Sequence, residues 1–319
     1  MDRSKGLDPD MLTTYLELMK QRPNVTSSMS SVRPSEARFR GLTRNGILNF
    51  PRIHWIGVDH ISSFPFHAAG YGSQDPRKNT MSCVISSYAS TLTAQAYTKQ
   101  KLATLEPRSS ALLPVAMPKT PGQSDLPGVE LEAKIIQNTL QEFMTVKLQK
   151  LQPVDLILED LPSYDFVHFA CHAYADPQSP FRSGLLLCGD EPENGFNENT
   201  RNSTLTVETV SSINTERSML AFLSVCCTAE NAASVLMDEG IHLAGAFQLA
   251  GYPHVIASLW EADDALSVAV AEKFYRIVFA ESGIIGQNKI AYALHDAVIA
   301  AQQICDEPLS WATTIYFRP

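Results

Sequence analysis

Two short stretches bring reactive side chains to what read as strand ends. Ala221-Phe222-Leu223-Ser224-Val225 is apolar enough for a buried strand and runs straight into Cys226, Cys227 and Thr228, ahead of a helix-permissive segment. Asp165-Phe166-Val167-His168-Phe169-Ala170-Cys171 has the same shape and delivers His172 at its carboxyl end. Parallel sheets keep their chemistry at the carboxyl ends of their strands. If the two strands are neighbours, His172 and a cysteine face one cleft. The thiolate is the nucleophilic form of cysteine, and an adjacent imidazole takes the thiol proton and later supplies one to a leaving amine. Backbone N–H groups at the turn then hold the oxyanion.

The same residue types have other uses. A buried Cys is a common core residue, and a His at a strand end is often a hydrogen-bonded structural group. Alternation puts His168, Ala170 and His172 on one strand face and Cys171 on the other, which makes Cys171 core and leaves His172 at the tip. Zinc draws on the same atoms: His168, Cys171, His172, Cys226 and Cys227 are all suitable ligand types. Structural zinc, however, favours ligand pairs about two to four residues apart, and Cys226 and Cys227 are adjacent. Neither a metal nor a cofactor is expected. His54, His60, His67, His242, His254 and His295 have no evident partner in the sequence and read as structural or surface residues.

Length and charge narrow the class. The 319 residues suffice for one large core. With 25 Lys+Arg against 34 Asp+Glu the formal charge is -9, which argues against a nucleic-acid backbone as partner, because that affinity is carried by clustered cations. The start, Met1-Asp2-Arg3-Ser4-Lys5-Gly6, leads into no apolar signal core, and no segment holds about eighteen apolar residues without a charge. A cytoplasmic protein with no membrane partner is the expectation. Six cysteines at irregular spacings fit reduced thiols better than a disulfide framework.

Patterning then supplies the elements that must position the pair. Residues 8–20 read as a short helix and 21–44, rich in Ser, Arg and Pro, as a mobile stretch. The division is therefore a lead-in over 1–49 and one folded domain over 50–319. Strands are predicted at 53–58, 81–86, 111–117, 165–171, 183–188, 218–225, 253–260 and 311–317. Helices are predicted at 90–105 with Ser90 as N-cap, 129–148, 237–249 stopped by Gly251, 263–279 and 287–305. Residues 151–162 read as a connecting loop with room for a short element, 190–204 as a polar insertion and 205–213 as a short helix or turn. Alternating strands and helices imply a mostly parallel central sheet with helices on both faces, a three-layer α/β sandwich.

Several ordered motifs together resemble the CHAT domain, a caspase-like family often placed behind tetratricopeptide repeats. They are Val167-His168-Phe169-Ala170-Cys171-His172, then Leu223-Ser224-Val225-Cys226-Cys227-Thr228-Ala229, then Phe247-Gln248-Leu249-Ala250-Gly251-Tyr252-Pro253-His254-Val255-Ile256-Ala257-Ser258-Leu259-Trp260. Phe64-Pro65-Phe66-His67-Ala68-Ala69-Gly70, Leu126-Pro127-Gly128-Val129-Glu130 and the closing Trp311-Ala312-Thr313-Thr314-Ile315-Tyr316-Phe317 extend the match to nearly everything after Phe50. The resemblance implies a caspase-hemoglobinase fold and a Cys-His dyad that hydrolyses peptide bonds. Cys226 falls on the family nucleophile and His172 on the general acid/base, with the Ala173 and Cys226 amides as oxyanion donors. It further implies a protein or peptide substrate and a tetratricopeptide regulatory region or partner chain. Two positions depart from the family: Gly usually follows the histidine, where this chain has Ala173, and a small residue usually precedes the nucleophile, where it has Val225. A Cβ at a position needing positive φ costs about a kcal/mol, so a catalytically silent interaction module is the alternative. Trp260 and Asp263 are substrate-pocket candidates, Asp263 as selector of a basic residue before the scissile bond. The competing use of Asp263 is the N-cap of the next helix.

Overall fold

The structure is a computed structural model that describes residues 50–57, 64–70, 79–104, 110–174, 176, 178–188, 202–225, 243–260, 263–279, 289–305 and 307–318. The expected lead-in over 1–49, with its helix, lies outside them. Two compact units divide the chain: one takes Phe66–Ser86 with the segment ending at Ile53, the other His54–Pro65 and Ser87–Pro319. The strands are β1 (Arg52–Trp55), β2 (Ile85–Tyr88), β3 (Ala111–Ala116), β4 (Thr145–Val146), β5 (Gln149–Lys150), β6 (Phe166–Ala170), β7 (Ala173–Tyr174), β8 (Gly184–Cys188), β9 (Asn202–Thr206), β10 (Leu220–Ser224), β11 (His254–Ser258) and β12 (Thr314–Phe317). In the smaller unit the Thr80–Cys83 helical turn starts with its Thr80 N–H on the Ala69 carbonyl, 2.8 Å away. The strand expected at 81–86 therefore begins only after this turn, at Ile85.

In the larger unit the main sheet runs β12-β11-β10-β6-β3-β4, with β5 also on β3, and Tyr88 pairs in parallel with Phe317. The β3, β6, β10 and β11 pairings are all parallel, and β12 returns antiparallel to β11. Every residue of β6 and β11 is buried, as strands covered on both faces must be. Side-chain alternation shows the two covering layers. Phe169 packs on Phe247 of the Leu243–Ala250 helix, ring centroids 5.5 Å apart, while its neighbour His168 packs on Tyr275 of the Asp264–Phe279 helix at 5.7 Å. The Pro127–Leu140 and Lys289–Ile304 helices pack beside the Asp264–Phe279 helix. The three-layer sandwich expected from the alternating elements is present. Among the described residues no helix is long and apolar enough to cross a membrane.

Several local expectations change. The helix at 90–105 runs Leu92–Thr104, and its cap is Thr91, whose Oγ1 accepts the Ala94 N–H at 3.0 Å; Ser90 lies outside it. The long helix expected over 129–148 occupies Pro127–Leu140, and the rest of that range feeds β4 and β5, both parallel to β3. The short element allowed for in the 151–162 connection is the Val154–Asp160 helix. The end of the polar insertion at 190–204 lies in β9, which completes a second, antiparallel sheet of order β7-β8-β9. Within 311–317 only β12 is strand, since Pro308–Trp311 is a helical turn. Gly251 ends the Leu243–Ala250 helix as read from the sequence: its φ is 114°, and a Cβ there would meet the Thr215 carbonyl oxygen at 2.5 Å.

One core histidine makes stability depend on pH. His254 in β11 is fully enclosed and hydrogen-bonds through Nδ1 with the Tyr316 hydroxyl. Burial, aided by the Arg318 cation, pushes its pKa from 6.5 down to about 3. The fold holds the ring neutral while the unfolded chain protonates it, so its contribution is complete above pH 6.5 and is lost as pH falls towards 3. Unfolding free energy should drop between pH 7 and 5 by about 2 kcal/mol more in the wild type than in His254→Leu. Equal drops in urea titrations at the two pH values would contradict this.

Candidate active site

His172 follows the end of β6 by two residues, and its ring is fixed from the opposite wall. Met117, which directly follows β3, donates its N–H to the Ala170 carbonyl at 2.9 Å, tying the start of the 118–126 loop to the end of β6. That loop is closed by Leu126 N–H on the Pro118 carbonyl at 2.9 Å and turns at Gly122, whose φ of 75° suits glycine. It presents the Ser124 carbonyl, 2.8 Å from His172 Nε2. A carbonyl only accepts, so Nε2 carries the hydrogen and Nδ1 of the neutral ring is the basic nitrogen. His172 is half-buried. Ser124 was not singled out from the sequence, where nothing marks a backbone acceptor.

Ala173 begins β7, opposite Leu185 of β8. The Leu186 N–H donates to the His172 carbonyl at 2.9 Å, which makes Ala173 and Leu185 the non-hydrogen-bonded pair and turns the Ala173 N–H away from β8. Among the described residues Leu151 alone combines a side chain with positive φ. The Cβ of Ala173 therefore meets none of the strain that a left-handed position would impose. Cys171, read from the sequence as core, is 1% exposed and forms no disulfide.

Cys226, together with Cys227, lies outside the described residues. What precedes it is defined: β10 pairs in parallel with β6 along its whole length, ending at Ser224 opposite Ala170. Cys226 and His172 thus each follow a matched strand end by two residues. Val225 is buried, so its branched side chain packs into the interior. Trp260 is half-buried, and its indole N–H donates to the Leu309 carbonyl at 2.7 Å. Asp263 is exposed and accepts the Leu266 N–H at 3.0 Å, the N-cap geometry of the helix that follows. Among the described residues no group of three or more His, Cys, Asp or Glu side chains is placed to hold a metal ion.

Two further acids shape this end of the sheet. The Pro127–Leu140 helix has no capping side chain of its own; Asp264 reaches across and accepts the Gly128 N–H at 2.6 Å. A Cβ on Gly128 would stand 2.5 Å from that carboxylate. Gly128→Ala is expected to displace Asp264 and lose about 1–2 kcal/mol of stability, seen as a lower urea midpoint with unchanged slope; an unmoved midpoint would show that the contact contributes nothing. The second acid is Glu132, 2% exposed, with Oε1 3.1 Å from His168 Nε2 and Oε2 accepting the Ser224 hydroxyl at 3.1 Å.

The parallel sheet, its two helical layers and a histidine held at a strand tip define the class: the caspase-like cysteine protease fold. The sequence matches the CHAT domain over residues 35–318, and the chain belongs to that family. It is similar to the crystal structure of the Arg-specific cysteine proteinase gingipain R, with 14% identity and a TM-score of 0.52 over 77% of this chain and 56% of that one. It is also similar to the complex of RgpB pro- and mature domains from Porphyromonas gingivalis, at 11% identity and a TM-score of 0.55 over 98% of this chain and 69% of that one. The chain thus spans little more than half the length of the first of these structures. No curated protein matches it.

Proposed function

We propose that this chain is a caspase-like cysteine endopeptidase in which Cys226 is the nucleophile and His172 the general acid/base. The observation that carries the reading is the 2.8 Å hydrogen bond from His172 Nε2 to the Ser124 carbonyl, at a strand end in register with the one leading to Cys226. That bond leaves Nδ1 to accept the thiol proton. The thiolate then attacks the peptide carbonyl carbon, forming a C–S bond and an oxyanion, with the Ala173 and Cys226 N–H groups as its donors. The imidazolium returns its proton to the amine nitrogen as the C–N bond breaks. Water, deprotonated by His172, attacks the thioester and releases the carboxylate, and the sulfur regains its proton. The amide direction at Ala173 favours this reading over a silent module, because the departure from Gly leaves the donor turned out of the ladder.

The substrate in this reading is a protein segment, and regulation by a tetratricopeptide region or partner chain is part of the same proposal. In this reading Trp260 and Asp263 are the substrate-pocket residues; Asp263 is exposed beside its capping role, which supports a part for it in substrate selection. A panel of short fluorogenic peptides is expected to be cleaved fastest with Arg or Lys before the scissile bond. Equal turnover of acidic and basic peptides would remove Asp263 as selector, and cleavage of none by pure protein, with its regulator present, would remove the enzymatic reading.

A further inference from the structure

We propose that Glu132 is a positioning residue: buried between His168 and Ser224, its carboxylate locks the carboxyl end of β10 to β6 and thereby holds the thiol-bearing chain against His172. The inference rests on the dyad reading and deepens it. Glu132 stands on the buried face of the Pro127–Leu140 helix with Val129, Ala133, Ile136 and Leu140, where an isolated carboxylate is strongly disfavoured. A carboxylate kept there needs partners, and it has two on adjacent strands. His168, fully buried, offers Nε2 at 3.1 Å, an ion-pair distance outside hydrogen-bond alignment, and its Nδ1 meets the Tyr275 hydroxyl at 3.1 Å. Burial, reinforced by the Glu132 charge, raises the Tyr275 pKa, so the phenol keeps its proton within the hydrogen bond it shares with Nδ1. The Ser224 hydroxyl donates to the other carboxylate oxygen at 3.1 Å.

The register explains why these contacts bear on the reaction. Phe222 lies opposite His168 and Ser224 opposite Ala170, so Glu132 grips β6 four residues before His172 and β10 two residues before Cys226. Among the described residues the β10–β6 register runs as far as Ser224 opposite Ala170, and the Ser224 hydroxyl is a side-chain tie at that point. Asp264 on Gly128 fixes the helix that carries Glu132, and the same helix follows the loop that presents Ser124. One helix therefore sets both the imidazole, through the loop, and the end of the nucleophile's strand, through Glu132.

The test uses the full chain as Ser224→Ala, Ser224→Thr, Glu132→Gln and the Ser224→Ala/Glu132→Gln pair, with Cys226→Ala as blank. Two rates are read: peptide turnover, and alkylation of Cys226 by iodoacetamide, which needs a thiol beside its base but no peptide. Ser224→Ala is expected to lower kcat and the alkylation rate about ten-fold or more with KM unchanged, since small displacements of reacting groups act on the chemical step. Ser224→Thr, which keeps the hydroxyl, should recover most of both. The paired variant should lose less than the product of the separate losses, because both changes cut one link. Wild-type rates in Ser224→Ala, or strictly multiplicative losses, would overturn the clamp. A wild type that neither turns over peptide nor alkylates faster than His172→Ala would overturn the dyad itself, a separate outcome visible before any Ser224 variant is compared.

Discussion

Replacing Cys226 by Ala is expected to lower peptide hydrolysis by a factor of about a thousand or more while the thermal midpoint stays within about a degree or two of the wild type. In the proposed reading the sulfur forms the covalent intermediate, and burial disfavours three of the four described thiols as substitutes: Cys171 and Cys188 are buried, and desolvation raises the Cys188 pKa. Burial likewise raises that of Cys83. His172→Ala should fall by a similar factor, because the thiol then lacks the base that takes its proton. The two losses should not multiply, since groups acting as a unit fail together. A Cys226→Ala protein that still cleaves peptide would move the nucleophile elsewhere; one that keeps its cellular activity without cleavage would favour the interaction-module alternative.

The largest stability effect is expected at the opposite end of the sheet, at Asp165. It is buried, and its Oδ2 accepts the Ala111 N–H at 2.8 Å and an Arg217 terminal N–H at 2.7 Å; Oδ1 accepts the Arg217 Nε–H at 3.2 Å. Its own carbonyl accepts the Met219 N–H at 2.7 Å. These partners stand at or just before the starts of β3 and β10, and Asp165 immediately precedes β6, so one carboxylate gathers three parallel strands. Asp165→Ala takes from Arg217 the carboxylate it pairs with and from the Ala111 amide its acceptor, a loss of about 2–4 kcal/mol once the partial exposure of the guanidinium is allowed for. Asp165→Asn, which retains one oxygen acceptor, should lose less. Urea unfolding of the three proteins checks the order; an Asp165→Ala midpoint equal to the wild type would show that the ladder bonds alone set the strand order. Residual activity per folded molecule should be unchanged, because the site lies at the other strand ends.

The sheet was legible because its strands are short continuous apolar runs, the pattern a doubly covered parallel strand requires. Trouble came where helical phase had to be read from few residues. Over 129–148 the apolar residues Leu131, Ile135, Ile136, Leu140, Phe143 and Leu148 suggest one long amphipathic helix, and of these Ile136 and Leu140 do face the core. Leu131 is 54% and Phe143 50% exposed, and the buried stripe is Val129, Glu132, Ala133, Ile136 and Leu140. A helix starting at Pro127 has that phase, and a Glu on its apolar stripe was the signal that would have drawn attention to residue 132. Thr80–Cys83 and Pro308–Trp311 form single helical turns ahead of strands, too short for any periodicity to show. Ala173 departs from the family's glycine in sequence, whereas its strand conformation depends on tertiary pairing with β8 that no local pattern reports.

At the site, residue type and strand position pointed to His172, and alternation separated it from Cys171. The Ser124 carbonyl was invisible, because a backbone acceptor has no residue signature. Asp263 illustrates the converse: it reads as a pocket acid or as an N-cap, and it accepts the Leu266 N–H, while its neighbour Asp264 accepts that of Gly128. Helix N-termini attract carboxylates for reasons unrelated to substrate.

The most direct test of the dyad is covalent. Purified protein treated with a thiol-reactive peptide ketone and digested should carry one adduct, mapped by mass spectrometry to Cys226, formed at least about ten-fold faster than in His172→Ala. An adduct on Cys227 or another thiol, or equal rates in the two proteins, would contradict the pairing of that sulfur with that imidazole.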